Sequence, residues 1–259
     1  MKNIKQSFFE SRDIQVSDLT MHYRVSSNIL PAGASSIVMI HGLATSNTYM
    51  LPTAYELISA YHIYIPDLPG FGKSTKPAKV FDVSQLADVL AQWMQAIGLD
   101  RATLLGNSLG CQVIAQFAMR YPTCIDRAIL VGPSMDPKAP TAHQEIARWV
   151  ANIPFEPAHL FPIMIGDFFH AGIRRTARTL QYGLQDHIDE HLPHMQVPTL
   201  VVRGSHDTVV PQRWAEEATC LLPNGKLVVV AGAAHDVNYN SPKQLANVVR
   251  GFMEEHTSD

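Results

Sequence analysis

The sequence predicts an α/β fold, in which a mostly parallel central sheet carries helices on both faces and a helical cap is inserted. Short apolar runs rich in Val, Ile and Leu alternate with longer stretches of helical apolar spacing, a pattern typical of parallel sheets covered by helices. This alternation stops between residues 133 and 195, where no convincing strand pattern occurs. The predicted strands are residues 18–25, 36–40, 62–65, 102–105, 127–131, 199–202 and 226–230.

These strands are predicted from two kinds of pattern. Residues 18–25, DLTMHYRV, alternate apolar and polar side chains, as does a strand with one face in solvent. Residues 36–40, SIVMI, form a continuous apolar run, which favours a strand that is buried on both faces. The remaining predicted strands follow this second pattern and are expected to form the middle of the sheet.

Three helices between and after these strands carry clear signals. Residues 84–97 place their apolar side chains on one helical face. Residues 109–121 continue helical spacing until Pro122 ends it. Residues 242–254 open with Pro242, a residue that suits the first turn of a helix.

The break in the alternation predicts the domain organisation. Residues 1–132 and 196–259 are expected to form the α/β core, and residues 133–195 a cap of several helices separated by prolines. Ligands of open α/β sheets bind at the carboxyl edge of the strands. We therefore expect the inserted cap to cover that edge and to shape the binding pocket.

Composition excludes several kinds of partner. The chain has 259 residues, 46% of them apolar, and a net charge of −3, so no basic field is present to hold nucleic acid or an anionic membrane. No apolar stretch approaches the ~18–20 residues of a membrane helix, and the N-terminal residues lack a secretory signal. A cytoplasmic protein with a small-molecule substrate is expected, and its oligomeric state cannot be read from the sequence.

The cysteines indicate neither a disulfide framework nor a metal centre. Cys111, Cys124 and Cys220 are odd in number and form no Cys-x-x-Cys pair or ligand cluster. Reduced thiols in a cytoplasm are the simplest interpretation. No metal or cofactor is expected.

The segment GNSLG, residues 106–110, carries the strongest chemical signal. It matches Gly-x-Ser-x-Gly and lies between a predicted strand and a predicted helix. At such a turn Ser108 is held in a strained conformation with its hydroxyl lifted from the sheet, and Gly106 and Gly110 avoid clashes with neighbouring backbone. Ser108 is therefore the predicted nucleophile.

A nucleophilic serine needs a base, and the base needs an orienting acid. Asp207 follows one predicted strand and His235 follows the last one, so both lie at the same edge as Ser108. Asp136, which follows the strand 127–131, is an alternative acid. Asp236 is expected to shape its loop or face solvent.

Backbone amides are expected to hold the oxyanion that forms when Ser108 attacks. His41 and Gly42 end a buried strand, and the loop after them can direct the N–H of Leu43 towards the substrate oxygen. The N–H of Leu109, at the start of the helix after Ser108, is the second candidate donor.

In these segments the sequence resembles the α/β-hydrolase fold family over nearly the whole chain, from about residue 14 to residue 254. The matching pieces occur in the family's order and are HGLA, DLPGFGKS, GNSLG, RGSHDTVVP and AGAAHDVNY. The resemblance implies Ser108 as nucleophile, Asp207 and His235 as its partners, and Leu43 and Leu109 as oxyanion donors. Asp67, which opens DLPGFGKS, is expected to fix that glycine-rich loop.

The resemblance leaves the substrate open. A serine at position 108 is unlike the dehalogenases, which use aspartate there, and is similar to carboxylesterases. Asn107 is similar to the branch that cleaves C–C bonds of dienoate ring-fission products, but HGLATSN and Asp236 depart from that branch. An ester or related acyl bond is the first prediction. C–C hydrolysis, lactone hydrolysis, acyl transfer and a non-catalytic receptor remain alternatives.

Several residues are candidates for the walls of the substrate pocket. The cap supplies apolar bulk and a group of arginines, one of which would suit a substrate carboxylate. The predicted pocket residues are His41, Gly42, Asn47, Asn107, Trp149, Phe168 and Arg174.

Overall fold

The computed structural model describes residues 8–31, 33–139 and 141–255; residues 1–7, 32, 140 and 256–259, including both ends of the predicted core, lie outside that description. The strands are β1 Phe9–Val16, β2 Leu19–Ser26, β3 Ser36–Ile40, β4 His62–Pro66, β5 Ala102–Asn107, β6 Ile125–Val131, β7 Thr199–Gly204 and β8 Gly225–Val230. Every predicted strand is present within one or two residues of its expected bounds.

These strands form one eight-stranded sheet within the described residues, in the order β1-β2-β4-β3-β5-β6-β7-β8. The pairs β1–β2 and β2–β4 are antiparallel, and the five remaining pairs are parallel. The predicted mostly parallel sheet is therefore confirmed. Because β3 and β5 to β8 run in the same direction, the loops that follow them meet at one edge.

Helices cover both faces of this sheet. They are α1 Asn47–Leu57, α2 Val83–Ala96, α3 Leu109–Arg120, α4 Ala142–Asn152, α5 Phe161–Ala171, α6 Ile173–Gln185, α7 Ile188–His191, α8 Gln212–Leu221, α9 Val237–Asn240 and α10 Pro242–Glu255. The apolar residues of α2, α3 and α8 pack on one face. Those of α1 and α10 pack on the other. Two separate apolar cores thus hold the sheet between them.

The structure adds β1, α1, α8 and α9 to the elements that the sequence predicts. β1 is an edge strand whose middle residues are exposed and polar, so no apolar run marks it. α1 contains Pro52 within its length, and a proline inside an apolar stretch argues against a helix at the sequence level.

Between β6 and β7, the described residues form a loop followed by a series of helices, and no strand occurs among them. This segment contains α4, α5, α6 and α7 with short 3₁₀ turns between them. The side chain of Gln112 on α3 donates to the carbonyl oxygen of Gly183 on α6 at 2.8 Å. Thr208, beside Asp207, donates to the carbonyl oxygen of Arg148 on α4 at 2.8 Å. These contacts join the helical insertion to the carboxyl edge of the sheet.

Among the described helices, none has the length and apolar character required to cross a bilayer.

Candidate active site

Ser108 occupies the turn between β5 and α3 with φ 54° and ψ −117°. A positive φ is unfavourable for a residue that carries a β-carbon, so the surrounding structure must enforce it. The backbone N–H of Ser108 donates to the carbonyl oxygen of Val131 on β6 at 3.0 Å. The turn therefore holds the serine in a strained conformation at the carboxyl edge of the sheet.

The glycines on either side of Ser108 are required by close backbone contacts. A β-carbon on Gly106 would lie 2.6 Å from the carbonyl group of Gly110. A β-carbon on Gly110 would lie 2.6 Å from the carbonyl oxygen of Ile40. A β-carbon cannot lie this close to a non-bonded backbone atom, so the tight turn depends on glycine at both positions.

Asp207 and His235 are joined by a hydrogen bond. Nδ1 of His235 lies 2.9 Å from Oδ2 of Asp207, and both side chains are buried. The other carboxylate oxygen of Asp207 accepts from the backbone N–H groups of Val209 and Val210 at 2.8 and 2.9 Å. The carboxylate is thus oriented on both sides, and it holds Nδ1 of the imidazole in the donor role.

The loops that carry Asp207 and His235 touch each other. A β-carbon on Gly204, at the end of β7, would lie 2.1 Å from the carbonyl oxygen of Ala234. On the far side of the ring, a β-carbon on Gly132 would lie 2.9 Å from Cε1 of His235. Glycine at these two positions lets the backbone close around the imidazole.

The environment of His235 favours its protonated form. Burial disfavours the imidazolium, but the negative charge and hydrogen bond of Asp207 outweigh burial and raise the pKa of His235 to about 9. The carboxylate of Asp236 acts in the same direction. An imidazole in this setting accepts a proton readily.

Ser108 and His235 line the same cavity. Within the described residues, Oγ of Ser108 donates to Oγ of Ser134 at 3.3 Å rather than to the imidazole. A 3.3 Å contact between hydroxyls is long, so it holds the serine rotamer weakly.

The loop after β3 lies directly against Ser108. A β-carbon on Gly42 would lie 3.3 Å from the β-carbon of Ser108, and Leu43 follows on the cavity wall. Leu109 is the first residue of α3. In the described part of the chain, the N–H groups of Leu43 and Leu109 donate no hydrogen bond to another residue. Both amides therefore have the spare donor capacity that binding of an oxyanion requires.

The alternative acid, Asp136, forms hydrogen bonds and ion pairs with residues other than His235. It accepts from Nη2 of Arg148 at 2.9 Å and from the backbone N–H of Lys138 at 3.0 Å, and it also pairs with Arg213. Burial raises its pKa, but these donors outweigh burial and lower it. Asp136 makes no contact of this kind with His235 among the described hydrogen bonds. It ties the cap helix α4 to α8.

Asp67 fixes its loop through several hydrogen bonds, as the sequence predicts. Its carboxylate accepts from the backbone N–H groups of Asn47 at 2.7 Å and Lys73 at 2.9 Å. His22 lies 2.8 Å from the same carboxylate. A β-carbon on Gly72 would overlap this carboxylate, so the glycine-rich loop wraps closely around it.

The expectation that Asp236 faces solvent is wrong, because the residue is only 4% exposed. The Tyr49 hydroxyl donates to its carboxylate, and its backbone N–H donates to Oε1 of Glu156 at 2.9 Å. Burial, together with the charge of Glu156, raises the pKa of Asp236 to about 7. A polar chain of Tyr49, Asp236 and Glu156 thus lies behind His235, and no sequence signal indicates it.

A cavity of about 580 Å³ opens in front of Ser108 and extends under the cap. Its walls are mostly apolar and come from the β3 loop, the Ser108 turn and helices α4, α5 and α6. Among the predicted pocket residues, the cavity is lined by Gly42, Asn107, Trp149 and Phe168. Trp149 is 41% exposed and Phe169 is 69% exposed, so the mouth of the cavity has an apolar rim.

Three predicted pocket residues do not line this cavity. His41 is buried, where Nδ1 donates to the carbonyl oxygen of Gly42 at 2.8 Å and Nε2 accepts from the N–H of Leu68 at 3.0 Å. Burial also lowers its pKa, so His41 is a neutral structural group. Asn47 accepts from Arg24 at 2.8 Å beneath the loop, and Arg174 is an exposed residue of α6.

One cavity residue has no counterpart among the sequence predictions. Glu145 lies in the first turn of α4 and contributes a buried carboxyl group to the wall. A glutamate that follows Thr141 by four residues is typical of an ordinary helix start, so its position inside a pocket depends on tertiary packing.

Comparisons with known proteins agree with this fold. Residues 37–248 match the model of the family described as alpha/beta hydrolase. The chain is 25% identical to a carboxylesterase, YbfK, of Bacillus subtilis over 86% of this chain and 81% of the relative. It is 24% identical to a 2-hydroxy-6-oxononadienedioate/2-hydroxy-6-oxononatrienedioate hydrolase of Cupriavidus pinatubonensis over 94% and 95%. The crystal structure of a membrane phospholipase A superposes with a TM-score of 0.83 at 22% identity, covering 100% of this chain and 90% of that one.

Proposed function

The chain belongs to the alpha/beta hydrolase family, and we propose that it is a serine hydrolase that cleaves an ester or related acyl bond of a small, largely apolar substrate. One observation carries the proposal. A strained Ser108 and His235, which is hydrogen-bonded to the buried Asp207, lie on the wall of one apolar cavity. Strained serines with an adjacent imidazole and carboxylate are typical of nucleophilic acyl transfer.

The proposed chemistry begins with His235 as a neutral base. Nε2 takes the proton of the Ser108 hydroxyl while Oγ forms a bond to the acyl carbon, and the carbonyl oxygen becomes an oxyanion. The amides of Leu43 and Leu109 donate to that oxygen. His235 then gives its proton to the leaving alcohol as the acyl–oxygen bond breaks, which leaves an acyl-enzyme on Ser108.

Water completes the reaction in the same way. The neutral imidazole of His235 removes a proton from water, whose oxygen attacks the acyl carbon. The proton returns to Oγ of Ser108 when the serine ester breaks. Asp207 stays ionised throughout and stabilises the imidazolium in each half-reaction. At the start of the reaction, the hydroxyl of Ser108 must rotate from Ser134 towards the imidazole, and the long 3.3 Å contact with Ser134 permits this rotation.

The lining of the cavity favours a substrate without a negative charge over an anionic substrate. Trp149, Phe161 and Phe168 are among its apolar walls, whereas no Lys or Arg is found among the described residues that line it. The Cupriavidus relative is named for a dicarboxylate substrate, and two carboxylates would be matched by arginine or lysine side chains, which this wall lacks among the described residues. A carboxylesterase such as the Bacillus relative is the better parallel. A lactone would use the same acyl-enzyme, as would acyl transfer to an acceptor other than water.

A panel of substrates tests this proposal. The wild-type protein and Ser108→Ala are assayed with p-nitrophenyl acetate, butyrate and octanoate, a lactone and a dienoate C–C substrate. We expect wild-type hydrolysis of the esters and a loss of at least about 10⁴-fold in Ser108→Ala, whose circular dichroism stays unchanged. Ester turnover retained in Ser108→Ala, turnover of the dienoate alone, or no turnover by the folded wild type would each overturn the proposal.

A further inference from the structure

Most polar groups on the cavity wall already have hydrogen-bond partners within the chain. Thr45 donates to the carbonyl oxygen of Gly42 at 3.1 Å, and Ser134 accepts from Ser108. Within the described residues, two buried side-chain oxygens of cavity-lining residues have no hydrogen bond: Oε1 of Glu145 and the hydroxyl oxygen of Thr176. Buried polar atoms without partners are rare in folded proteins, so these two atoms call for an explanation.

Glu145 is held inside the wall by the start of α4. Its backbone N–H donates to the carbonyl oxygen of Thr141 at 3.1 Å, and the residue is only 5% exposed. The nearest cation is Arg148, whose Nη1 lies 3.7 Å from Oε1 of Glu145, beyond hydrogen-bond distance. Arg148 donates its other terminal nitrogen to Asp136 at 2.9 Å. The glutamate is therefore only partly compensated.

The electrostatic setting agrees with this geometry. Burial raises the pKa of Glu145 to about 7, and the cation of Arg148 opposes burial only in part. The charge of His235 also lowers this pKa, while the carboxylates of Asp136 and Asp207 raise it. A carboxylate is unfavourable in such a position without a donor, and a ligand that brings a donor relieves that penalty.

We propose that Glu145 is a specificity-determining residue of the cavity, which accepts a hydrogen bond from a hydroxyl, amide N–H or ammonium group of the substrate and disfavours substrates that carry a carboxylate there. The buried hydroxyl of Thr176, on α6, is a second polar atom without a hydrogen-bond partner in a residue of the same cavity wall. The site thus selects an apolar acyl compound with one hydrogen-bond donor. The effect of Glu145 on ester turnover rests on the proposed function, whereas its effect on ligand binding does not.

A purely structural role for Glu145 makes a different prediction. If the carboxylate served only to pair with Arg148, its replacement by glutamine would lower the melting temperature and leave ligand preference unchanged. If it recognises ligand, the same replacement changes preference between ligands of equal size. The two roles are therefore separated by a ratio of affinities rather than by stability.

Binding of matched six-carbon ligands provides the first test. The affinities of hexylammonium, hexan-1-ol and hexanoate are measured by calorimetry at about pH 8.5, where the Glu145 carboxyl is mostly ionised. We expect the wild type to bind hexylammonium and hexan-1-ol at least about tenfold more tightly than hexanoate, and Glu145→Gln to reduce that ratio to about threefold or less. Glu190→Gln, which removes an exposed cap carboxylate, should leave the ratio unchanged.

Ester turnover provides the second test. The substrates are the p-nitrophenyl esters of hexanoate, 6-aminohexanoate and adipate, which differ in the charge at the far end of the chain. In Glu145→Gln, kcat/KM for the adipate ester should rise about tenfold relative to that for the hexanoate ester. Glu145→Leu, which removes the acceptor but keeps side-chain bulk, serves if the glutamine variant does not fold.

The outcomes separate this inference from the proposed function. Equal ligand ratios in the wild type and Glu145→Gln would overturn the role of Glu145, as would a wild type that prefers hexanoate. Ester hydrolysis that depends on Ser108, together with the same affinity and kcat/KM ratios in the wild type and Glu145→Gln, would overturn this inference and leave the proposed function intact. A changed binding ratio with no Ser108-dependent hydrolysis would support Glu145 as a ligand contact and overturn the proposed function.

Discussion

Nδ1 of His235 and Oδ2 of Asp207 lie 2.9 Å apart, in a pair of side chains that are almost completely buried. Because the carboxylate can only accept, this contact places the proton of a neutral imidazole on Nδ1. Nε2 is then left as the basic nitrogen. The pair lies on loops that follow β7 and β8, at the same sheet edge as Ser108. The proposed activity depends on this relationship.

The two candidate acids should respond differently to neutralisation. Asp207→Asn removes the acceptor that fixes the imidazole, so kcat should fall by about 10²–10⁴-fold while the fold survives. Asp136→Asn breaks the contacts with Arg148 and Arg213 instead, so it should lower the melting temperature and change kcat only a few-fold. Steady-state kinetics with p-nitrophenyl butyrate compares them. A mild effect of Asp207→Asn beside a severe effect of Asp136→Asn on kcat would reverse the assignment.

Activity should rise with pH as His235 loses its proton. The base must be neutral. Burial lowers the pKa of His235, but Asp207, together with Asp236 and Glu156, outweighs burial and raises it from 6.5 to about 9. The imidazolium therefore predominates at neutral pH, and kcat/KM should increase across this interval. In Asp207→Asn the stabilising charge is absent, so the midpoint of the residual activity should move to lower pH. A pH–rate profile of both proteins measures these midpoints. Identical midpoints, or wild-type activity that falls as the pH is raised from neutral, would contradict this electrostatic account.

Alanine at the second glycine of the serine turn should destabilise the protein. The added β-carbon of Gly110→Ala would lie 2.6 Å from the carbonyl oxygen of Ile40, and we expect a loss of about 1–3 kcal/mol in the free energy of unfolding. Gly251→Ala is the matched control, because Gly251 is in helix α10 with open space around it. It should stabilise the protein by up to about 1 kcal/mol. Urea denaturation of both variants measures the difference, and equal effects would argue against a crowded turn.

Removal of the Tyr49 hydroxyl should destabilise the buried Asp236. Tyr49→Phe deletes a donor to this carboxylate, at an expected loss of about 1–3 kcal/mol. The pKa of Asp236 is raised in the folded protein to about 7, so its stabilising contribution is present in acid and lost as the pH rises through that value. The loss in Tyr49→Phe should therefore be larger above pH 7 than at pH 5. Urea unfolding at both pH values measures it.

Tyr61→Phe is the control for this measurement. Tyr61 is also buried, and its hydroxyl makes none of the side-chain hydrogen bonds found among the described residues. Its replacement should change stability by only about 0.5 kcal/mol or less at either pH. Equal losses in both phenylalanine variants, without pH dependence, would show that the Tyr49 contact contributes little.

The sequence predicts the central sheet well because its strands are short apolar runs between helical stretches. Residues 36–40 and 199–202 each carry enough apolar density to be recognised alone. β1 lacks such a signal, since its pairing with β2 is made by backbone groups and its side chains are mostly polar and exposed. Register with a neighbouring strand, rather than local composition, makes it a strand.

Some residues of the candidate site can be predicted from local sequence, and others cannot. Ser108 and Gly110 occur in a local pattern whose spacing reflects steric contacts, so the sequence alone places the turn. Pocket residues depend on contacts between distant segments, and there prediction from sequence is weaker. His41 is a structural hydrogen-bonding group instead of a pocket residue, and Arg174 is exposed and does not line the cavity. Glu145 lines the cavity only because α4 packs over the loop of Asp207.

Covalent labelling of the serine is the most direct test of the central claim. The wild type is incubated with a fluorophosphonate, and intact-protein and peptide mass spectrometry locate the adduct. We expect one phosphonyl group on Ser108, formed rapidly in the wild type and at least about 100-fold more slowly in His235→Ala. An adduct on Ser134 instead, or no adduct on the folded wild-type protein, would contradict the assignment of Ser108 as a nucleophile activated by His235.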